Sequence, residues 1–133
     1  FRFRSEAVLA MKRLILELGS GADLYGMDYT KAAIRAFNDA IRHSSITLFS
    51  SLDIDHNEMN VNITIGVQEP NKVNIEKLRA QVPRGNPNVI VTFGGQNIDS
   101  RCNGDFSVVA TCAIEAYVPI LSGRYSIIQA PKE

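Results

Sequence analysis

A short apolar run that stops at two glycines and leads into a strong amphipathic helix constrains this chain most. Residues 14–18 are almost wholly apolar, and Gly19 and Gly21 then open a polar stretch. From 29 to about 43, apolar side chains recur at helical spacing, and charged or amide side chains occupy the opposite face. Because glycine commonly ends a strand, the pattern predicts a buried strand over 14–18, a turn over 19–28 and a helix over about 29–43.

Side chains near the start of the predicted helix can stabilise its first turn. Asp28 or Thr30 can cap the helix, because a side-chain oxygen there accepts hydrogen bonds from otherwise unpaired backbone N–H groups. His43 falls in the last turn, where positive charge suits the helix dipole. Lys31 and Arg35 lie one turn apart on the polar face, so they can offer positive charge to an anion held beside the turn.

The rest of the chain predicts three strands and one short helix. Residues 59–67 alternate between apolar and polar side chains, as a strand with one buried face does. Asn74 can cap a short helix whose apolar positions share a face. In chain order the segments are a loop over 44–57, the strand over 59–67, the helix after Asn74, a strand over 89–93, a long loop over 94–105 and a strand over 106–118 that Pro119 ends.

The predicted element order is β-α-β-α-β-β, which indicates an α+β fold with a mixed four-stranded sheet and two helices on one face. The strand over 106–118 is apolar on both faces, so both faces are expected to be covered. Two helices can cover only one side of such a sheet. We therefore expect a homo-oligomer, most simply a trimer, whose subunits close over the other side.

Length, charge and cysteine spacing limit the function classes. The 133 residues fit a single domain, with an arm over 1–11 and a tail over 119–133 that holds a short strand candidate at 125–128. Fourteen basic side chains balance fourteen acidic ones, so nothing draws the whole chain to nucleic acid. No apolar run approaches the length of a membrane span. Cys102 and Cys112 lack metal-ligand spacing, so two reduced thiols are expected, with Cys112 buried.

The glycine-rich turn is the candidate binding site. Such a turn before a helix N-terminus directs backbone N–H groups outward, where they bind phosphate or carboxylate. The Gly-x-Gly spacing lacks the third glycine and the acidic residue of a dinucleotide loop, and the chain has no Gly-Lys-Ser/Thr of a P-loop. Two interpretations therefore stay open: an anion site, or a tight turn that only packs a strand against a helix.

Residues 14–37 resemble a small family of conserved hypothetical proteins first catalogued in Listeria. The hallmark of that family is Gly-x-Gly-x-Asp-x-His-Gly, followed by a Thr-Lys-Ala-Ala helix. The matching positions here are Gly19, Gly21, Asp23 and Gly26. Tyr25 stands where the family has histidine. Because tyrosine titrates near pH 10, it donates a hydrogen bond but is a poor base, which favours a non-catalytic relative if the family uses that histidine.

The resemblance extends over about residues 12–118 and implies a location and a fold. The family occurs in bacteria and, with an N-terminal extension, in plants and algae, and it has no established activity. Localisation in an organelle, specifically a plastid or chloroplast, is therefore expected, with the cytoplasm as the alternative. The element order is similar to the Bacillus chorismate-mutase-like fold shared with the YjgF-type deaminases, which are trimers with ligand sites between subunits. Likeness at fold level says little about chemistry.

The candidate site residues come from the turn and from one carboxylate in a strand. Asp23, Tyr25 and Glu115 are the candidates for a catalytic role; Glu115 stands out because a carboxylate inside an apolar strand is costly unless paired. The candidate ligand-binding residues are Gly19, Ser20, Gly21, Asp23, Tyr25, Gly26, Asp28, Thr30 and Lys31. The sequence assigns no metal ligands and no cofactor. Two functions are considered: binding or enzyme-like handling of a small anionic metabolite near a subunit interface, and a structural subunit of a larger assembly.

Overall fold

The computed structural model describes residues 9–42, 58–82, 85–101 and 104–121. In those residues, five strands form one mixed sheet and two helices pack against it, which confirms the predicted α+β class. The elements are β1 (Leu9–Asp23), α1 (Tyr29–Arg42), β2 (Asn60–Val67), α2 (Ile75–Arg79), β3 (Asn86–Phe93), β4 (Gln96–Asp99) and β5 (Phe106–Leu121). A 3-10 turn over Pro70–Lys72 precedes α2.

The sheet is built around β5, and its main path runs β1-β5-β2-β3. β1 pairs with β5 in antiparallel fashion along almost its whole length. On the other edge of β5, β2 pairs with residues 111–117 and β4 pairs with residues 106–109. β2 and β3 are parallel, so a crossover connection is needed between them, and α2 lies within that connection.

One core fills the space between the helices and one face of the sheet. Side chains alternate between the two faces of a strand, so every second residue faces the helices. These residues run from Val61 to Val67 in β2 and from Val108 to Val118 in β5, and they form the sheet side of the core, here called its floor. The face of α1 that meets this floor consists mostly of alanine, joined by Phe37, and Leu78 brings α2 into the same cluster. Small side chains let α1 approach the sheet closely. Because both helices contribute to this one cluster, they cover the same face of the sheet, as the sequence predicts.

The opposite sheet face, here called the open face, carries no helix within the described residues. Side chains of β5 that alternate with the core residues, from Val109 to Tyr117, belong to it. Large apolar side chains on the described part of this face are solvent-exposed; Leu18, for example, is 65% exposed. A surface of this kind commonly marks a binding or interaction site.

The predicted turn over 19–28 is wrong in its first half, because β1 continues to Asp23. Gly19 and Gly21 lie within that strand, directly beneath α1. A Cβ atom on Gly19 would meet the backbone oxygen of Ala36 at 2.7 Å, and one on Gly21 would meet the backbone carbon of Arg35 at 2.6 Å. These glycines are therefore explained by the close approach of strand and helix backbones, and not by a turn conformation.

Pro119 does not end β5, contrary to the prediction. Proline lacks the N–H group that a strand with two neighbours needs. Among the described strands, only β1 pairs with β5 beyond Tyr117, because the register with β2 ends there. Proline is tolerated along such an edge, and β5 continues to Leu121.

The remaining boundaries agree closely with the sequence, apart from one missed strand. The predicted loop over 94–105 contains β4, whose four residues are too few to show a hydrophobic period. Residues 9–11 of the predicted arm belong to β1. The predictions for His43, for the loop over 44–57, for the strand at 125–128 and for the rest of the arm and the tail lie outside the described residues.

Candidate functional site

Asp23 organises the connection between β1 and α1. The residue is 6% exposed; its Oδ2 accepts a hydrogen bond from the Asp28 backbone N–H at 2.9 Å, and its Oδ1 pairs with Arg35 Nη1 at 3.3 Å. Gly26 lies beside it, where a Cβ atom would stand 2.7 Å from Asp23 Oδ2. Both oxygens of this carboxylate are therefore engaged in holding the turn closed.

Asp28 begins α1, and Thr30 connects α1 to the segment before α2. Asp28 Oδ1 accepts a hydrogen bond from the Lys31 N–H at 3.0 Å, so of the two predicted caps it is Asp28 that caps the helix. The Thr30 hydroxyl accepts a hydrogen bond from the Asn74 N–H at 2.9 Å and donates one to the Lys72 carbonyl at 3.4 Å. These bonds fix the spacing between the first turns of the two helices.

A cavity of about 240 Å³ lies between these first turns, and it is called the interhelix cavity below. Its lining residues are Asp28, Thr30, Lys31, Ile34, Arg35 and Lys77. Lys77 reaches it because Asn74 caps α2, as predicted, with Asn74 Oδ1 accepting from the Lys77 N–H at 3.2 Å. Residues from both helices and from the capping turn therefore meet at one concave surface.

The electrostatics of the interhelix cavity favour negative charge. Arg35 is held in position by donating from Nη1 to the Ala22 carbonyl at 2.6 Å as well as to Asp23. Within the described ranges, neither Lys31 nor Lys77 forms an ion pair. One Asp28 oxygen is committed to the helix cap. Asp23 balances Arg35, and Asp28 is the one carboxylate that faces the two lysines, so the cavity keeps a positive potential.

Only part of the predicted ligand site converges on this cavity. Asp28, Thr30 and Lys31 line it. Ser20 donates its backbone N–H to Asp39 Oδ2 at 3.0 Å and so helps to fasten β1 to α1. Tyr25 is 89% exposed and does not line the cavity. The phenol expected to donate to a ligand therefore projects from the turn into solvent.

Glu115 does not approach the turn. In the sheet register it stands opposite Leu16, whereas Asp23 stands opposite Val108. Seven residues of β5 separate the two positions, which corresponds to about 23 Å along the strand. Glu115 also lies on the open face, while Asp23 lies on the helix side. The structure therefore does not bring together the three residues considered for a catalytic role.

Tyr29 joins α1 to the 3-10 turn and to β4. Its hydroxyl donates to Glu69 Oε2 at 2.9 Å and accepts from Asn97 Nδ2 at 2.8 Å. Burial raises the pKa of Tyr29, and the bond to Glu69 raises it further, while the bond from Asn97 works in the opposite direction. The phenol therefore stays protonated at neutral pH and acts as a hydrogen-bonding tie between three elements.

Sequence reasoning identified most of the α1 residues at the interhelix cavity but not Lys77 or Ile34. Lys77 belongs to a five-residue helix, and its spacing from Asn74 indicates the cap without showing which neighbour that helix meets. Ile34 shows only as an apolar position at the border of the polar face. The sequence signal that could have pointed to Lys77 is the Asn74 cap, because it fixes where α2 begins and so places Lys77 in the first turn of that helix.

The described residues contain no group of three or more His, Cys, Asp or Glu side chains placed to hold a metal ion. In the same part of the chain, no helix has the length and apolar character needed to cross a membrane.

The fold and this site define an α+β domain with a small basic cavity between two helices. The chain belongs to the family described as "Conserved hypothetical protein (Lin0512_fam)", whose model matches residues 13–116, and this confirms the family predicted from the sequence.

A solved structure with a similar fold is that of an FtsZ-like protein of unknown function from Nostoc punctiforme. It superposes with a TM-score of 0.73 at 30% identity, covering 83% of this chain and 98% of that chain. A comparison with curated proteins gave no match. The predicted likeness to the Bacillus chorismate-mutase-like fold stays a prediction.

Proposed function

We propose that this protein binds a small anionic metabolite in the interhelix cavity. The observation that carries the proposal is the convergence of Lys31, Arg35 and Lys77 on one concave surface. Lysine and arginine bind phosphate and carboxylate groups through charge-assisted hydrogen bonds, which are stronger than neutral ones. The α1 N-terminus lies at the same place, and its dipole adds to the positive potential.

The size and chemistry of the cavity limit the ligand class. At about 240 Å³ it is smaller than a typical drug-sized pocket, so the ligand is of the size of inorganic phosphate or a di- or tricarboxylate. The hydroxyl of Thr30 and the free oxygen of Asp28 add hydrogen-bonding groups for a ligand hydroxyl. We assign binding and no reaction, because Tyr25 and Glu115 lie away from this cavity.

A thermal-shift series with inorganic phosphate, malate and citrate tests the proposal. A ligand that binds only the native state stabilises it by about 2.7 kcal/mol at a concentration 100 times its Kd, so at least one anion should raise the Tm. The double variant Lys31→Ala/Lys77→Ala should lose this shift. Lys12→Ala is the matched control, because it removes an exposed lysine from β1 away from the cavity. Absence of a shift with every anion, or equal loss in the control, would refute the proposal.

A second candidate function is that of an assembly subunit, and the exposed apolar part of the open face favours it. Leu18 is 65% exposed and Ile90 is 50% exposed, and both lie on this face, because Leu18 stands opposite Ala113 and Ile90 stands opposite Thr64. Leu18 also lines a further cavity of about 350 Å³, together with Gly66, Thr111 and Ala113. A homo-oligomer, most simply a trimer, would cover these side chains. Light scattering should then give at least twice the mass of the 14.7 kDa chain, whereas a monomer at micromolar concentration would refute the homo-oligomer.

A further inference from the structure

The end of the open face opposite to the turn carries a second concave surface with different chemistry. A cavity of about 300 Å³ there is lined by Met11, Asn60, Asn62, Asn88 and Tyr117. These residues lie on four neighbouring strands. Asn62 stands opposite both Glu115 and Asn88, Asn60 stands opposite Tyr117, and Met11 stands opposite Pro119. Together with Arg13 and Glu115, the three asparagines and Tyr117 are called the polar patch.

The polar patch is unusual for a sheet. Asparagine is depleted in strands, because its side chain competes with the backbone for hydrogen bonds and packs poorly on a pleated surface. Here three asparagines occupy two adjacent strands, and their position on the open face leaves them outside the core. The single contact among them is long, with Asn88 Nδ2 donating to Asn62 Oδ1 at 3.5 Å. Bonds within the patch therefore leave most of its amide hydrogen-bonding capacity unused.

The charges of the polar patch cancel within it. Arg13 Nη1 donates to Glu115 Oε2 at 3.0 Å, and the Tyr117 hydroxyl donates to the same oxygen at 3.0 Å. One positive and one negative side chain leave no net charge to attract an ion. The hydrogen bond to Glu115, with burial as a smaller cause, raises the pKa of Tyr117, so its phenol stays protonated at neutral pH.

We propose that the polar patch binds a neutral, polyhydroxylated small molecule of the sugar or polyol class. Each asparagine offers a carbonyl acceptor beside an NH₂ donor, and each ligand hydroxyl both donates and accepts, so the two sets are complementary. The ring of Tyr117 and the side chain of Met11 give the apolar surface that the C–H groups of such a ligand need. The polar patch lies on the open face and the interhelix cavity lies on the helix side of the sheet, so the two sites share no residue and stand independently.

Titration of the ¹⁵N-labelled full chain with D-glucose, D-ribose and myo-inositol, each to tens of millimolar, tests the assignment. At least one of these should give saturable shifts of the Asn60, Asn62 and Asn88 side-chain NH₂ signals. Asn62→Ala and Asn88→Ala should each weaken binding about tenfold, since a tenfold change corresponds to about 1.4 kcal/mol, roughly one lost hydrogen bond. Tyr117→Phe keeps the ring and should weaken binding less than either.

Two controls keep this test separate from the anion proposal and from unfolding. Thr92→Ala changes an exposed polar residue of β3 away from the polar patch and should bind the sugar normally. Lys31→Ala/Lys77→Ala should also bind it normally, even if it has lost anion binding. No saturable shift with any of the three probes would overturn the proposal. Binding unaffected by Asn62→Ala and Asn88→Ala, or lost equally in Thr92→Ala, would overturn it as well.

Discussion

At Gly19 and Gly21 the missing Cβ atoms set the distance between β1 and α1. The atoms that a new Cβ would meet belong to the α1 backbone, which cannot rotate away as a flexible side chain could. We therefore expect Gly19→Ala and Gly21→Ala each to lower the free energy of unfolding by about 1–3 kcal/mol or more, because overpacking usually costs this much. Urea denaturation measures this, with Ser20→Ala between them as the control. Wild-type stability for both glycine variants would contradict the close packing.

Cys112 gives a residue-scale prediction that depends on pH. Burial raises the pKa of this thiol to about 12 from an ordinary value of 9.0. Because the folded-state pKa is the higher one, the stabilisation is complete below pH 9 and is lost as the pH rises toward 12. The pKa values of the Tyr29 and Tyr117 phenols are raised as well. Their ionisation therefore also lowers the free energy of unfolding, at a higher pH.

We expect the free energy of unfolding to fall as the pH rises from 9.0 toward about 12, and to fall less steeply in Cys112→Ala. Urea denaturation at several pH values measures both slopes. In a Cys102→Ala background, the Cys112 thiol should also react with a thiol reagent only on unfolding, because a buried thiol is rarely ionised. Rapid reaction in the native protein would show that the thiol is accessible.

At the scale of elements, the start of α1 depends on a carboxylate that precedes it by six residues. Asp23→Ala would leave the Asp28 N–H and the Arg35 guanidinium without this partner, and a lost buried partner costs about 1–3 kcal/mol. We expect a lower Tm and weaker helical circular dichroism. Asp105→Ala, at an exposed aspartate, should change neither. An unchanged Tm in Asp23→Ala would show that the turn does not need this carboxylate.

The elements that could be predicted from the sequence are those with enough residues to show a period. α1 ends one residue from its predicted end, and the alternation over 59–67 gives β2 almost residue by residue. β1 could not be bounded, because Gly19 has the same appearance in sequence whether it ends a strand or packs beneath a helix. The site could be predicted only in part. Lys31 and Arg35 lie on one helix face, so their spacing in sequence brings them together, whereas Lys77 meets them only through tertiary packing.

At the scale of the whole molecule, the open face, which no helix of the described residues covers, predicts association. A charge introduced into an apolar interface is strongly unfavourable, so Leu18→Asp and Ile90→Asp should each lower the mass measured by light scattering. Both positions are already exposed, so the fold itself should tolerate the change. Leu24→Asp, at an exposed leucine in the turn, is the control and should keep the wild-type mass. A mass unchanged in both variants would show that this face is not the interface.

The most direct test of the central claim is to locate the anion on the protein. Titration of the ¹⁵N-labelled chain with inorganic phosphate, malate and citrate reports on every backbone N–H at once. With at least one anion, we expect saturable shifts concentrated at the start of α1, from Asp28 to Arg35, and at Lys77, and we expect Lys31→Ala/Lys77→Ala to abolish them. Absence of saturable shifts with all three anions, or shifts centred elsewhere, would contradict the assignment of the interhelix cavity as the ligand site.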